Sequence, residues 1–67
     1  MKSAEDFEKI GIQLIREGRY ADALQAYDAI IELRPDWPEA HHGRGNTLSL
    51  LGRHAEALQA YDRALEL

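Results

Sequence analysis

The hexapeptide ALQAYD occupies residues 23–28 and returns letter for letter at 57–62, 34 positions later. In a chain of 67 residues such a recurrence marks an internal repeat, because self-similarity at a fixed period of about 20–50 residues signals stacked supersecondary units. Working outward, residues 18–33 align with 52–67 at 11 of 16 positions. The halves that precede them, 1–17 and 35–51, agree only at Glu5/Glu39, Gly11/Gly45 and Leu14/Leu48. The constant half reads as a structural element and the variable half as a recognition face.

The constant half has helix period. Leu24, Tyr27 and Ile31, filled out by Ala23 and Ile30, fall three and four residues apart, and Leu58, Tyr61 and Leu65 repeat them with Ala57 and Ala64 alongside. Before the first of these runs, Phe7, Ile10 and Leu14 keep the same spacing, with Ser3 placed as an N-cap and Gly18 as the stop. Arg34-Pro35 ends the second run, since proline cannot continue a helix. Asp36-Trp37-Pro38-Glu39 predicts a third start, with Asp36 as the cap, Pro38 in the first turn and Glu39 as the acid of a capping box. That helix should reach Leu51 and stop at Gly52. No stretch alternates with period two, so the expected fold is all-α, two helical hairpins in tandem.

Composition narrows the function. A chain this short forms a single small domain with a marginal core. It carries no cysteine, so disulfides and thiolate metal ligation are excluded. The formal charge is −4, and two lysines and six scattered arginines form no phosphate-binding patch, which argues against nucleic acid. No apolar run approaches the ~20 residues of a membrane span, and Met1-Lys2-Ser3 leads into Glu5, Asp6 and Glu8 rather than a signal core. A cytoplasmic location is expected. His41, His42 and His54 lack the i, i+4 spacing of a helical zinc pair. Gly43-Arg44-Gly45-Asn46 lacks the ending of a phosphate loop and falls inside the predicted third helix. Glu5 and Glu8 have no predicted cleft to shield them and should be solvated. The expectation is no enzyme, no metal and no cofactor.

The 34-residue helix–turn–helix period resembles the tetratricopeptide repeat family, whose pattern asks for an aromatic, a Leu-Gly pair, a further aromatic, then Ala, an aromatic and Pro. The first hairpin supplies Phe7, Ile10-Gly11, Leu14, Ala23, Tyr27 and Pro35. The second supplies Gly45, Leu48, Ala57 and Tyr61, with His41 and Arg44 at the aromatic and leucine positions, which predicts weaker packing of the third helix. The resemblance covers nearly the whole chain and implies a right-handed α-solenoid with repeats at about 4–37 and 38–67. Gly11 and Gly45, each costing ~1 kcal/mol inside a helix, should mark close helix approach. Ala23 and Ala57 should face them, with Tyr27 and Tyr61 as wedges.

The resemblance further implies a protein–protein interaction scaffold whose first helices line a concave groove for a peptide or partner segment. Carried over by position, the groove presents Glu5, Glu8, Ile12 and Arg16 from the first helix, and Glu39, His42, Asn46 and Ser49 from the third. Members that clamp a C-terminal carboxylate use basic and asparagine side chains. With Glu8 and Ile12 at two of those positions and only Asn46 fitting, capture of acidic C-terminal peptides is not expected. By analogy with Leu24, Tyr27 and Ile31, the stripe Leu58-Tyr61-Leu65 should meet a following helix, and no capping helix follows. Leaving about 200 Å² of it bare forgoes about 5 kcal/mol, comparable to the whole stability of about 3–10 kcal/mol expected at this length. Either the array is longer or a second copy covers the stripe, and self-association into a homo-oligomer is the favoured expectation. The alternative is a minimal or engineered repeat unit whose main activity is homo-oligomeric assembly.

Overall fold

Ser3 begins the first helix as the spacing predicted. Its Oγ accepts from the Asp6 amide at 3.2 Å while the Asp6 carboxylate accepts from the Ser3 amide at 3.1 Å, a reciprocal capping box. The Ser3 amide, and after it the Ser3 hydroxyl, hold the Asp6 carboxyl below its ordinary value. The computed structural model describes residues 2–67, and its helices are α1 (Ala4–Arg16), α2 (Tyr20–Leu33), α3 (Pro38–Leu50) and α4 (His54–Glu66). Among the described residues there is no strand.

Both hairpin turns are built alike. Gly18 and Gly52 adopt φ of 77° and 79°, the left-handed region open to glycine without a Cβ penalty. At each, two bonds close a Schellman turn: Gly18 N–H to Ile15 O and Arg19 N–H to Leu14 O, then Gly52 N–H to Ser49 O and Arg53 N–H to Leu48 O. The helix that follows has an arginine at its N-cap that gives no side-chain cap. The acid three residues on, Asp22 or Glu56, binds that arginine's side chain at 2.8 or 2.7 Å. The Arg53 hydrogen bond lowers the Glu56 carboxyl below its ordinary value.

The third start differs from expectation in one residue. Trp37, not Asp36, is the N-cap of α3, and it makes no side-chain cap bond; Pro38 takes the first helical position. Proline fixes its own φ and pushes its predecessor to extended backbone. Trp37, with φ −94° and ψ 106°, therefore stands where the helix begins. Glu39 accepts from the Trp37 indole N–H instead of closing a box with Asp36.

Each helix packs on its sequence neighbour, α1 on α2, α2 on α3, α3 on α4, in a slab of 32 × 27 × 13 Å. Two apolar clusters run through it. Tyr27, Ile30, Ala4 and Ala40 form the first, with Phe7, Ile15, Ile31 and Trp37 against them. Leu48, Ala57 and Ala60 form the second, with Leu24 and Tyr61. The expected weakness at His41 and Arg44 does not appear. His41 is buried with Nε2 2.8 Å from the Pro35 carbonyl, and Arg44 pairs with Asp28 of α2 at 2.8 Å. Both side chains find partners on the preceding repeat that Phe7 and Ile10, at the matching positions of the first hairpin, could not use.

Candidate functional site

The joint between the hairpins rests on Tyr27. A Cβ built on Gly11 of α1 would lie 2.9 Å from Tyr27 Cε2, and one on Gly43 of α3 would fall still nearer the Cε1 edge. One ring edge thus abuts α1 and the opposite edge α3, with only backbone on either side. Gly45 meets Tyr61 in the same way, at 2.8 Å from Cδ1. This corrects the expected glycine–alanine seats: the atoms nearest Gly11 and Gly45 belong to the tyrosine rings, and Ala57 packs with Leu48 instead. A flat ring fills the space an absent side chain leaves, which a methyl group cannot.

Burial, and secondly the Glu8 carboxylate, push the Tyr27 phenol above its ordinary 10.0. In the unfolded chain the phenol ionises near the ordinary value, so the folded chain holds its proton longer. The associated stability is complete below pH ~10 and is lost as pH rises through the folded pKa. Tyrosinate absorbance should show a component ionising above the ordinary value, and Tyr27→Phe should remove it. A Tyr27→Phe chain with an unchanged titration curve would contradict the burial.

A groove of about 710 Å³ runs between α3 and α4 and reaches the edge of α1. Tyr27, Tyr61, Ala64 and Leu65 form its apolar lining, and Glu8, Glu39, His42 and Asn46 its polar one. The Tyr61 hydroxyl donates to Asn46 Oδ1 at 2.5 Å, and the His42 ring stands 5.5 Å from the Tyr61 ring at 54°. Four of the eight expected groove residues are therefore together. Ser49 lies beside them, in a shallower depression with Ile15, Asn46, Leu50 and Tyr61. Glu8 is half-buried at the groove edge rather than solvated as expected.

The other three stand elsewhere. Glu5 pairs with Arg34 at 3.1 Å, and Arg34 also lies over the Trp37 ring, 4.7 Å from its centroid. Ile12 and Arg16 are exposed and line neither depression. The expected outer stripe also divides: Tyr61 and Leu65 line the groove, whereas Leu58 does not. Leu65 is 86% exposed and Leu58 61%. Gly43, Ala64 and Pro38 line the groove without having been expected there. The signal for Gly43 was present, as a second costly glycine in one helix. That for Ala64 was its place about one turn beyond Tyr61.

Among the described residues no group of three His, Asp or Glu side chains comes together to hold a metal. No described helix is long and apolar enough to cross a membrane. None of the curated proteins matches the sequence. A family model described as tetratricopeptide repeat matches residues 9–67, a span that takes in most of α1 and all of α2, α3 and α4. With four helices paired as two hairpins and a match over nearly its whole length, the chain belongs to the tetratricopeptide repeat family.

Proposed function

We propose that this chain is a non-catalytic protein–protein interaction scaffold, one domain of two repeats, that holds a peptide or partner segment on the face formed by its first helices. The groove carries this reading: an apolar floor of two tyrosines, Ala64 and Leu65, edged by Glu8, Glu39, His42 and Asn46. Such a mixture of apolar area with a few polar side chains suits recognition. The acidic edge disfavours carboxylate-rich ligands, membranes of anionic lipid and nucleic acid, and a cytoplasmic setting fits the lack of cysteine. Selection from a displayed peptide library, followed by calorimetry, should yield micromolar ligands that shift the amides of Glu39, His42 and Asn46. A screen without binders, or shifts confined to α2, would sink the reading.

Homo-oligomeric assembly is the second reading, favoured by the exposure of Leu58 and Leu65. It shares Tyr61 and Leu65 with the groove, so ligand and self-association would compete. Light scattering at about 1 mM should give a mass above 7.6 kDa for the wild type. Leu65→Glu should return it to the monomer, because a buried unpaired carboxylate costs several kcal/mol. A wild-type monomer at that concentration removes this reading and leaves the first intact.

A further inference from the structure

The open groove has a filled twin one repeat earlier. Tyr27, Ile30 and Ile31 of α2 pack with Trp37 and Ala40 of α3, and the Tyr27 ring presses on Gly43 with no space for a Cβ. Adding 34 to Tyr27, Ile30 and Ile31 gives Tyr61, Ala64 and Leu65, the three α4 residues that line the groove. The first edge of each ring is seated alike, Tyr27 on Gly11 and Tyr61 on Gly45. Gly43, which seats the second edge of Tyr27, has no counterpart at Tyr61: Gly45 is the one glycine whose nearest atoms belong to that ring. The groove is thus a slot for one more helix, and the wedge of Tyr61 demands a small residue at the crossing. Glu8 and Glu39 along the same groove add a preference for a basic side chain, while Arg44, the nearest arginine in sequence to them on α3, is held by Asp28.

A second copy of this chain cannot supply that helix by stacking its front on this slot. Stepping back 34 from Trp37, Ala40, Gly43 and Thr47 gives Ser3, Asp6, Lys9 and Gln13 on α1, all but Asp6 and Ser3 free of the capping box and all four exposed. Lys9 stands where the wedge requires glycine, and Asp6 would carry a carboxylate onto the apolar floor, which is costly without a partner. The outer face of α1 does not carry the residues that the slot takes.

We propose that the slot between α3 and α4 takes an amphipathic helix of a separate protein. Glycine stands opposite Tyr61, apolar residues sit three and six positions before it as Ala40 and Trp37 do in α3, and a Lys or Arg is turned toward Glu8 and Glu39. This rests on the groove being a partner site and names its occupant.

The test titrates the full isotope-labelled chain with a capped peptide of its own residues 36–51, the one helix known to fit the twin slot. Two comparison peptides are the same segment with Gly43→Leu and residues 2–17. The 36–51 peptide should shift the Tyr61, Ala64 and Leu65 amides with submillimolar affinity; the Gly43→Leu peptide should bind at least tenfold more weakly, and 2–17 not at all. Because a free peptide of this length is a marginal helix, residues 34–51 are also appended after Leu67. That extension should raise the melting temperature by several degrees, and the same extension with Gly43→Leu should not. Equal behaviour of the glycine and leucine versions overturns the proposal. So do shifts at Tyr27 in place of Tyr61, or a doubled mass that the peptide does not lower, which would hand the slot to a second copy. Library ligands that still shift Glu39, His42 and Asn46 would show that the occupant, and not the partner site, was misassigned.

Discussion

Tyr27→Ala is expected to leave the chain largely unfolded at 25 °C, while Tyr61→Ala still folds. The two tyrosines are the same letter in the same repeated hexapeptide, so any difference reports their surroundings. Tyr27 is 4% exposed and is gripped between Gly11 and Gly43. Removing an aromatic side chain from such a site costs about 3–5 kcal/mol, partly for the cavity left behind. A chain of this length has only about 3–10 kcal/mol to lose. Tyr61 is half-buried with one edge on Gly45 and the groove beside it. Its removal opens a solvated dent and not a cavity, at about 1–2 kcal/mol, near the centre of what single substitutions cost. Urea denaturation followed by helical circular dichroism separates the cases, and equal losses would refute the picture of one gripped and one open wedge.

Gly43→Ala should destabilise, against the ordinary trend. In an exposed helix the change from glycine to alanine gains up to ~1 kcal/mol. At Gly43 the new methyl would overlap the Tyr27 ring, which cannot retreat because Gly11 backs its other edge. Overpacking of this kind costs about 1–3 kcal/mol, enough to reverse the sign. Gly43→Leu should be worse and approach complete unfolding. In a Tyr27→Leu background the obstruction is gone, so Gly43→Ala should turn neutral or favourable, a coupling of at least ~1 kcal/mol between residues in contact. A stabilising Gly43→Ala in the otherwise unaltered chain would show that α3 does not cross at the ring.

Much of this was readable in the chain itself. Period 34, helix spacing, the Ser3 cap and the stops at Gly18 and Gly52 follow from local rules, because caps, left-handed glycines and apolar stripes act within a few residues of one another. Of the groove residues that the family resemblance implied, Glu8, Glu39, His42 and Asn46 lie together. The start of α3 at Trp37 instead of Asp36 shows where local rules compete: the backbone limits set by Pro38 decided it.

Tertiary structure decided the rest. Position in the repeat could not tell that Arg34 draws Glu5 away from the groove, or that His41 would be satisfied by the Pro35 carbonyl, because both partners come from the connection between repeats. It singled out Gly45 with Gly11, yet not Gly43 two residues earlier, which serves the other tyrosine. ALQAYD specifies a wedge twice, and its neighbours decide that one wedge is shut and the other open. Burial is a property of what surrounds a side chain, and identical letters hold no record of it.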